Sequence, residues 1–489
     1  MANRAWWTVE RPRVALGPAK ELGPQIWFGL VGSVGRPPVW FAECGRQFVA
    51  AAAEPARDRM LAGRTTPLLA LPVLGTGQGG GWARKGETLE VLVGELAEAA
   101  ADHEVDVVLT TWASSHREAD ALYSAAQRSR RRVFENAGDR GDLWDGIDRV
   151  EKLEPAAVKL AGRARAGNLV LFLGAGVSAG AGLPAWQDLL DRLAREAGIL
   201  EGLVPQLRRM DLRDQASIIK RKQLSAGTDF SSTIAEQLRS TRYPLTGALL
   251  ASLPTKEAIT TNYDQLFEMA VESTAAPLAV LPYTAVTDST QRWLLKLHGD
   301  VEGRGSDIIL TRDDYLGAPA THAALFGLVQ AMLLTRHLLF VGYSLADEDF
   351  HRIVHEVKAA RRSTDDASTM GTALVLGADP LQTLLWADSL DVVPVESTET
   401  GDADANAAPG DVAAAARRLQ IFLDRVGYLA ADMTGFVLDG TFEGLLDDDE
   451  QTMADSLRAL AATAQQAGPG WQKVRALLRE LGLRDDSDD

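Results

Sequence analysis

Residues Phe172–Trp186 read FLGAGVSAGAGLPAW. The apolar run Asn168–Leu173 before the glycines has the length and composition of a buried strand, and a helical pattern starts at Ala185. Gly174, Ala175 and Gly176 therefore fall in a strand-to-helix turn. Glycines there permit φ > 0 and let a backbone approach a pyrophosphate closely. The helix that follows would aim its free amides at the same group. A lone glycine turn of this kind serves equally well as a tight structural turn.

Three polar clusters lie downstream: TTNYD (Thr260–Asp264), LKLHGD (Leu295–Asp300) and VGYSLADEDF (Val341–Phe350). Each follows a short apolar run. Strands are expected at Ala258–Thr261, Leu294–Leu297, Ile308–Leu310, Leu338–Val341, Ala373–Leu376 and Val392–Val395, with helical patterns between most of them. That alternation predicts a doubly wound, mostly parallel sheet over residues 146–396, which places site residues at the carboxyl ends of its strands.

With these segments in hand, the chain resembles the sirtuin family, and in particular its divergent prokaryotic branch of NAD-consuming, Thoeris-type defence proteins. The resemblance rests on Gly174-Ala175-Gly176-Val177-Ser178 with Gly182-Leu183-Pro184, on Asn262-Tyr263-Asp264, on His298-Gly299, and on Gly342-Tyr343-Ser344-Leu345. The segment ILTRDDY (Ile309–Tyr315) is similar to the same branch. Sirtuin deacylases carry a four-cysteine zinc module, Phe-Arg after the proline, and Gln before the asparagine. This chain has one cysteine, Ala185-Trp186-Gln187 after Pro184, and Thr261 before Asn262. The departures point away from deacylation and towards hydrolysis of NAD, with no zinc expected.

The resemblance implies roles for particular residues. Breaking the nicotinamide–ribose bond builds oxocarbenium character, so the site must hold the ribose and place water. Asn262 and His298 would do this, His298 as base or orienting group because its ordinary pKa is near neutrality. Asp264 is a candidate for the nicotinamide pocket, or for holding the asparagine loop. NAD contacts are expected from Gly174, Ala175, Gly176, Ser178, Gly182, Pro184, Thr261, Gly342, Ser344, Leu345 and Asp347. Asp264 and Asp347 both precede helical patterns and read equally well as helix caps. Tyr315 and Trp186 read as packing residues.

Residues 1–140 alternate between strands (Ile26–Val34, Pro67–Leu74, Val105–Thr111) and helices (Glu87–Ala101, Arg117–Arg128). A second glycine loop, Gly75-Thr76-Gly77-Gln78-Gly79-Gly80-Gly81, follows an apolar run, and Lys85 or Arg84 could add a cation. Successive amides in such a loop form an anion-binding hollow. This stretch is similar to macrodomains, which bind ADP-ribose derivatives, although the family's asparagine-rich element is not evident here. The resemblance implies a nucleotide-sensing domain. The fold expected for the whole chain is α/β: a macrodomain-like and then a sirtuin-like, Rossmann-type domain, both doubly wound. A linker is expected at 397–410, and a helical C-terminal region at 411–489 with an acidic tail.

Composition sets outer limits. The chain has 489 residues, which at about 100–200 per domain allows two to four domains. Hydrophobic residues make up 46%, enough for a sizeable core. Net charge is -17, so direct nucleic-acid binding and attachment to anionic membranes are not expected. The single cysteine, Cys44, excludes an intramolecular disulfide and fits a reducing cytoplasm. Met1–Arg13 has no apolar core of a signal peptide. The most apolar stretch, Ala331–Leu345, is broken by Arg336 and His337 and reads as a buried helix and strand. The expectation is a regulated, homo-oligomeric NAD hydrolase triggered by an ADP-ribose-like nucleotide. A deacylase, an ADP-ribosyltransferase and a non-catalytic NAD sensor are the alternatives.

Overall fold

The computed structural model describes residues 14–16, 26–30, 35–60, 64–76, 80–111, 115–137, 144, 153–288, 290–303, 308–361, 369–396, 409–466 and 468–484. Contacts divide the chain into two units, Trp144–Ala430 and a unit made of Met1–Leu143 with Ala431–Asp489.

The Trp144–Ala430 unit is built on seven strands: β1 (Leu169–Leu173), β2 (Glu257–Thr260), β3 (Leu278–Leu281), β4 (Arg292–Lys296), β5 (His337–Val341), β6 (Gly371–Val375) and β7 (Leu390–Pro394). They pair in the order β7-β6-β5-β1-β2-β4-β3, and every pair is parallel. A parallel sheet covered on both faces needs unbroken apolar strands, and the central pair supplies them. All five residues of β1 and of β5 are buried. Side chains of β1 alternate between two cores, as strand geometry requires. Leu169, Leu171 and Leu173 join one cluster, and Val170 and Phe172 the other.

Helices Leu153–Arg165, Leu245–Ser252 and Pro409–Ala430 cover the first face. The last of these falls in the expected C-terminal region 411–489 but packs within this unit, which runs to Ala430. Arg425 pairs with Glu154 at 2.7 Å and stacks on Trp144, whose indole N–H donates to Asp424 at 2.9 Å. Of the expected linker 397–410, residues 397–408 lie outside the described residues, and Pro409 already opens this helix. Helices Ala323–Thr335 and Glu348–Ala360 cover the second face.

Two strand expectations change. Ile308–Leu310 is extended and buried but joins no sheet. Its amides are satisfied locally instead. Ile309 N–H donates to the His298 carbonyl at 2.9 Å, and Leu310 and Thr311 N–H donate to Asp314, the third residue of a capping box. The edge strand β3 was missed because only four residues separate Pro277 from Pro282.

Between β1 and β2 the chain inserts a small helical layer that includes Trp186–Glu196, Leu212–Ser225 and Phe230–Gln237. It has its own core of Leu189, Leu190, Leu193, Ala216, Ile219 and Phe230. Asp211 and Asp229 cap two of its helices.

Among the described residues of the other unit, Leu68–Pro72 and Asp106–Thr110 pair in parallel around the crossover helix Lys85–Asp102. Val14–Leu16 and Trp27–Gly29 form an antiparallel pair. The segment Gly440–Leu445 packs on this unit, with Phe442 and Leu445 in its core. Among the described residues no single helix is long and apolar enough to cross a membrane; the bent pair Arg312–Thr321 and Ala323–Thr335 passes on length and composition only.

The start of β5 gives a pH test. His337 is buried against the Thr372 hydroxyl at 2.9 Å, and burial, helped by Lys159 and Arg163, pushes its pKa down to about 4. The unfolded chain therefore takes up a proton that the folded chain refuses. Stability of this unit is full above about pH 6.5 and falls by roughly 3 kcal/mol as pH drops towards 4. Denaturant titrations from pH 7 to 4 should show that loss, and His337→Gln should flatten it.

Candidate active site

The two strands at the centre of the sheet, β1 and β5, leave in opposite directions of the strand order, so their carboxyl ends open a crevice. The loops that follow them meet backbone to backbone. Gly174 N–H donates to the Val341 carbonyl at 3.0 Å, and Gly176 N–H to the Gly342 carbonyl at 2.9 Å. A Cβ on Gly174 would lie 2.4 Å from the Gly342 oxygen. A Cβ on Gly342 would lie 2.4 Å from the Val177 nitrogen, and its φ of +64° is left-handed. These glycines are thus demanded by contact between the two loops themselves.

A cavity of about 500 Å³ sits over this crevice, roofed by the helical insert. Of the sequence-derived candidates, Ala175, Gly176, Ser178, Pro184, Thr261, Asn262, Asp264, His298, Gly342, Ser344 and Asp347 line it. Gly174, Gly182 and Leu345 do not. Gly174 supports the crevice from below, and Gly182 supplies a left-handed turn at φ +80°. Leu345 also holds a left-handed conformation, φ +58°, but its side chain is buried in the core beneath β5. A buried leucine held there is strained, a feature that clusters at functional loops.

The polar groups form one connected set. Ser178 Oγ donates to Asp264 Oδ2 at 2.8 Å. Asn262 Nδ2 donates to the Gly174 carbonyl at 3.0 Å and to Ser178 Oγ at 3.3 Å. With both amide hydrogens engaged, the Asn262 side-chain oxygen is the atom left to accept a bond. Asp264 Oδ1 also accepts from Leu266 N–H at 3.0 Å, one residue ahead of the N-cap Gln265, so it ties Ser178 to the start of the helix Leu266–Glu272. Asp347 caps its helix through Asp349 N–H at 2.9 Å. Asp347 thus takes the helix-cap reading, and Asp264 holds the Ser178 hydroxyl next to the asparagine loop.

His298 is buried, and its Nε2 lies 3.6 Å from Asp347 Oδ2. Burial lowers its pKa, with Asp347 and Asp349 opposing, which favours the neutral imidazole. Asp349 moves the other way: burial, and then Asp347, raise its carboxyl. The donors of His298, Asp347 and Asp349 lie within 4.8 Å of one another, a set with metal-ligand chemistry. One oxygen of Asp347 is already engaged by the helix cap and one of Asp349 by Arg352.

Sequence reasoning missed the contribution of the helical insert. Asp211, Leu212, Arg213 and Leu238 line the cavity from above. Arg213 reaches Glu348 across the cavity at 2.7 Å and holds Asp211 at 2.9 Å, while its guanidinium lies over the Tyr315 ring. Hydrogen bonds from Arg213, against the cost of burial, pull Asp211 down to about 2. Nothing in the LRDQAS segment departs from an ordinary amphipathic helix, so no local signal marked it.

The second glycine loop presents less. Gly75 is left-handed at φ +82° and packs on the Phe41 ring, and Gly81 N–H closes the loop on the Gly75 carbonyl at 2.8 Å. Thr76 Oγ1 donates to the Val73 carbonyl, and Gly80 is left-handed. Gly77, Gln78 and Gly79 lie outside the described residues. Lys85, expected to offer its charge to a phosphate, is 6% exposed and committed to Glu118 at 3.4 Å. Arg84 pairs with Glu87.

Sheet order and crevice together define a Rossmann-like α/β domain. Residues 256–393, within the Trp144–Ala430 unit, match the SIR2-like domain model. The chain is similar to NAD(+) hydrolase ThsA of Enterococcus faecium, 29% identical over 198 residues, 39% of this chain and 40% of that protein. It is similar to NAD(+) hydrolase ThsA of Bacillus cereus (strain MSX-D12), 29% identical over 205 residues, 40% of each chain. Defense-associated sirtuin 2 of Bacillus subtilis is 26% identical over 208 residues, 41% of this chain and 20% of that protein. The match spans two fifths or less of the length of these relatives.

The loop contact predicts a contrast between glycines. Gly174→Ala should lower stability by about 2–3 kcal/mol through overpacking and should weaken ligand binding in the crevice. Gly162→Ala, on an open helix face, should raise stability by up to about 1 kcal/mol. Thermal melts of both variants beside the parent check this.

Proposed function

We propose that the SIR2-like unit binds NAD in this cavity and hydrolyses its nicotinamide–ribose bond, and that the chain acts in antiphage defence. The observation that carries the reading is the convergence of Asn262, His298, Ser178 and Asp264 on one cavity, beside two glycine loops. The names of the relatives support the same substrate.

Among the described residues, Arg213 is the Lys or Arg lining the cavity, and it is already paired; because Gly174, Gly176, Val177 and Ser178 N–H already donate to carbonyls, the pyrophosphate would rest chiefly on the amides of Ala175 and the Gly342–Ser344 loop. The ribose would lie towards Asn262 and His298. As the glycosidic bond breaks, nicotinamide departs with the electron pair on its ring nitrogen. Water adds to the ribose carbon and gives up one proton, leaving ADP-ribose. The Asn262 side-chain oxygen orients the water or a ribose hydroxyl, and neutral His298 accepts the proton. Asp347, close to His298 Nε2, stabilises the imidazolium that results.

Regulation is the second part of the proposal. The first unit, through the Gly75–Gly81 loop, would bind an ADP-ribose-like nucleotide and shift the chain, as a homo-oligomer, towards its active state. Such a ligand acts only by binding the two states unequally. Commitment of Lys85 to Glu118 means that loop amides, rather than that lysine, would hold the phosphate.

The deciding assay incubates the full chain with NAD, with and without ADP-ribose-like nucleotides, and separates products by chromatography. Nicotinamide and ADP-ribose are expected in equal amounts. His298→Ala and Asn262→Ala should each lower the rate by about 10²-fold or more. Equal product from both variants would overturn the site. In a pH series the acid limb should have its midpoint below 6.5, because burial lowers the pKa of His298 and the neutral ring is the working form.

A further inference from the structure

Lys296 ends β4 with a side chain 0% exposed. An ammonium taken out of water must be matched by oxygen atoms. Four surround this one: the carbonyls of Asp264 at 2.7 Å and Tyr263 at 3.3 Å, and the carboxylates of Glu268 at 2.8 Å and Asp300 at 3.1 Å. The two carbonyls belong to the loop after β2 that carries Asn262. Asp300 belongs to the turn after β4 that carries His298. Glu268 lies on the helix that leaves the first loop.

Weaker ties run the same way. Val301 N–H donates to the Tyr263 carbonyl at 3.0 Å, and Leu297 N–H to the Thr260 carbonyl at 2.9 Å. Gln265 donates to Asp300 from the opposite side. Lys296 is the charged centre of this set, and it does not line the cavity.

We propose that Lys296 is a positioning residue, which locks the Asn262 loop to the His298 turn and so fixes the geometry between those two side chains. Buried ion pairs are a poor source of stability, since apolar residues of similar volume usually do as well or better. What an ammonium adds is direction. Its hydrogens pin the Tyr263 and Asp264 carbonyls, which a methionine would leave unheld.

The kinetic arm rests on the hydrolase reading; the exchange arm does not. Lys296→Met and Glu268→Gln are made in the full chain. Each is measured for NAD turnover, NAD binding by calorimetry, melting temperature, and amide exchange over residues 261–266 and 297–303. For Lys296→Met, kcat should fall about 10–100-fold with KM within about threefold, and exchange should quicken in both segments selectively. Glu268→Gln, which keeps an acceptor for Lys296, should hold kcat within about threefold. If Lys296→Met fails to fold, Lys296→Met combined with Glu268→Gln removes one orphaned charge and takes its place.

The proposal is overturned if turnover stays within about twofold of the parent well below the variant's own melting point. Exchange that rises evenly over the unit overturns it too. A parent protein that binds NAD without turning it over would refute the hydrolase reading, and the exchange data would then decide on Lys296 alone.

Discussion

The contact between the loops after β1 and β5 is the constraint on which the site depends. Main-chain atoms of Gly174 and Gly176 lie against Gly342 with no room for a Cβ on any of the three. That closeness brings the two loops to one crevice and uses the Gly174 and Gly176 amides to join them. It also fixes where Ser178 and Ser344 stand, because both follow within two residues of a pinned glycine. The rest of the site is attached to this seam. Asn262 bonds the Gly174 carbonyl, Asp264 holds Ser178, and Asp347 leads from the Gly342 loop to His298.

The fully apolar strands β1 and β5 were legible because a sheet buried on both faces permits nothing else. The polar clusters after β2, β4 and β5 were legible for a related reason: a charged or amide side chain just after such a run stands at the carboxyl edge of the sheet. Asn262, Asp264, His298 and Asp347 all sit where that rule puts them. Ile308–Leu310 shows the limit of the same reasoning. Its alternation is real, since Ile308 and Leu310 face one core and Ile309 the other. Alternation reports burial, however, and not pairing, and a capping box satisfies its amides.

Residues missed by sequence reading share a different property. Arg213 and Asp211 reach the cavity from a helical layer whose own pattern is set by its packing. Lys296 looks like the polar end of a strand, where solvent would be the ordinary neighbour. Its burial depends on four oxygen atoms brought from three other places: the loop after β2, the helix that follows it and the turn after β4. No local window contains that information.

The helix Pro409–Ala430 closes the Trp144–Ala430 unit, and the residues after it return to the unit that began the chain. One unit is therefore an insertion within the other. During synthesis the inserted unit is made before its host can be finished, because Phe442 and Leu445 of the host core emerge after it. The host must wait with part of its apolar face uncovered, while the inserted unit already has every residue of its own core. Tethered at both ends, the inserted unit also has two covalent paths by which a change in its host can reach it.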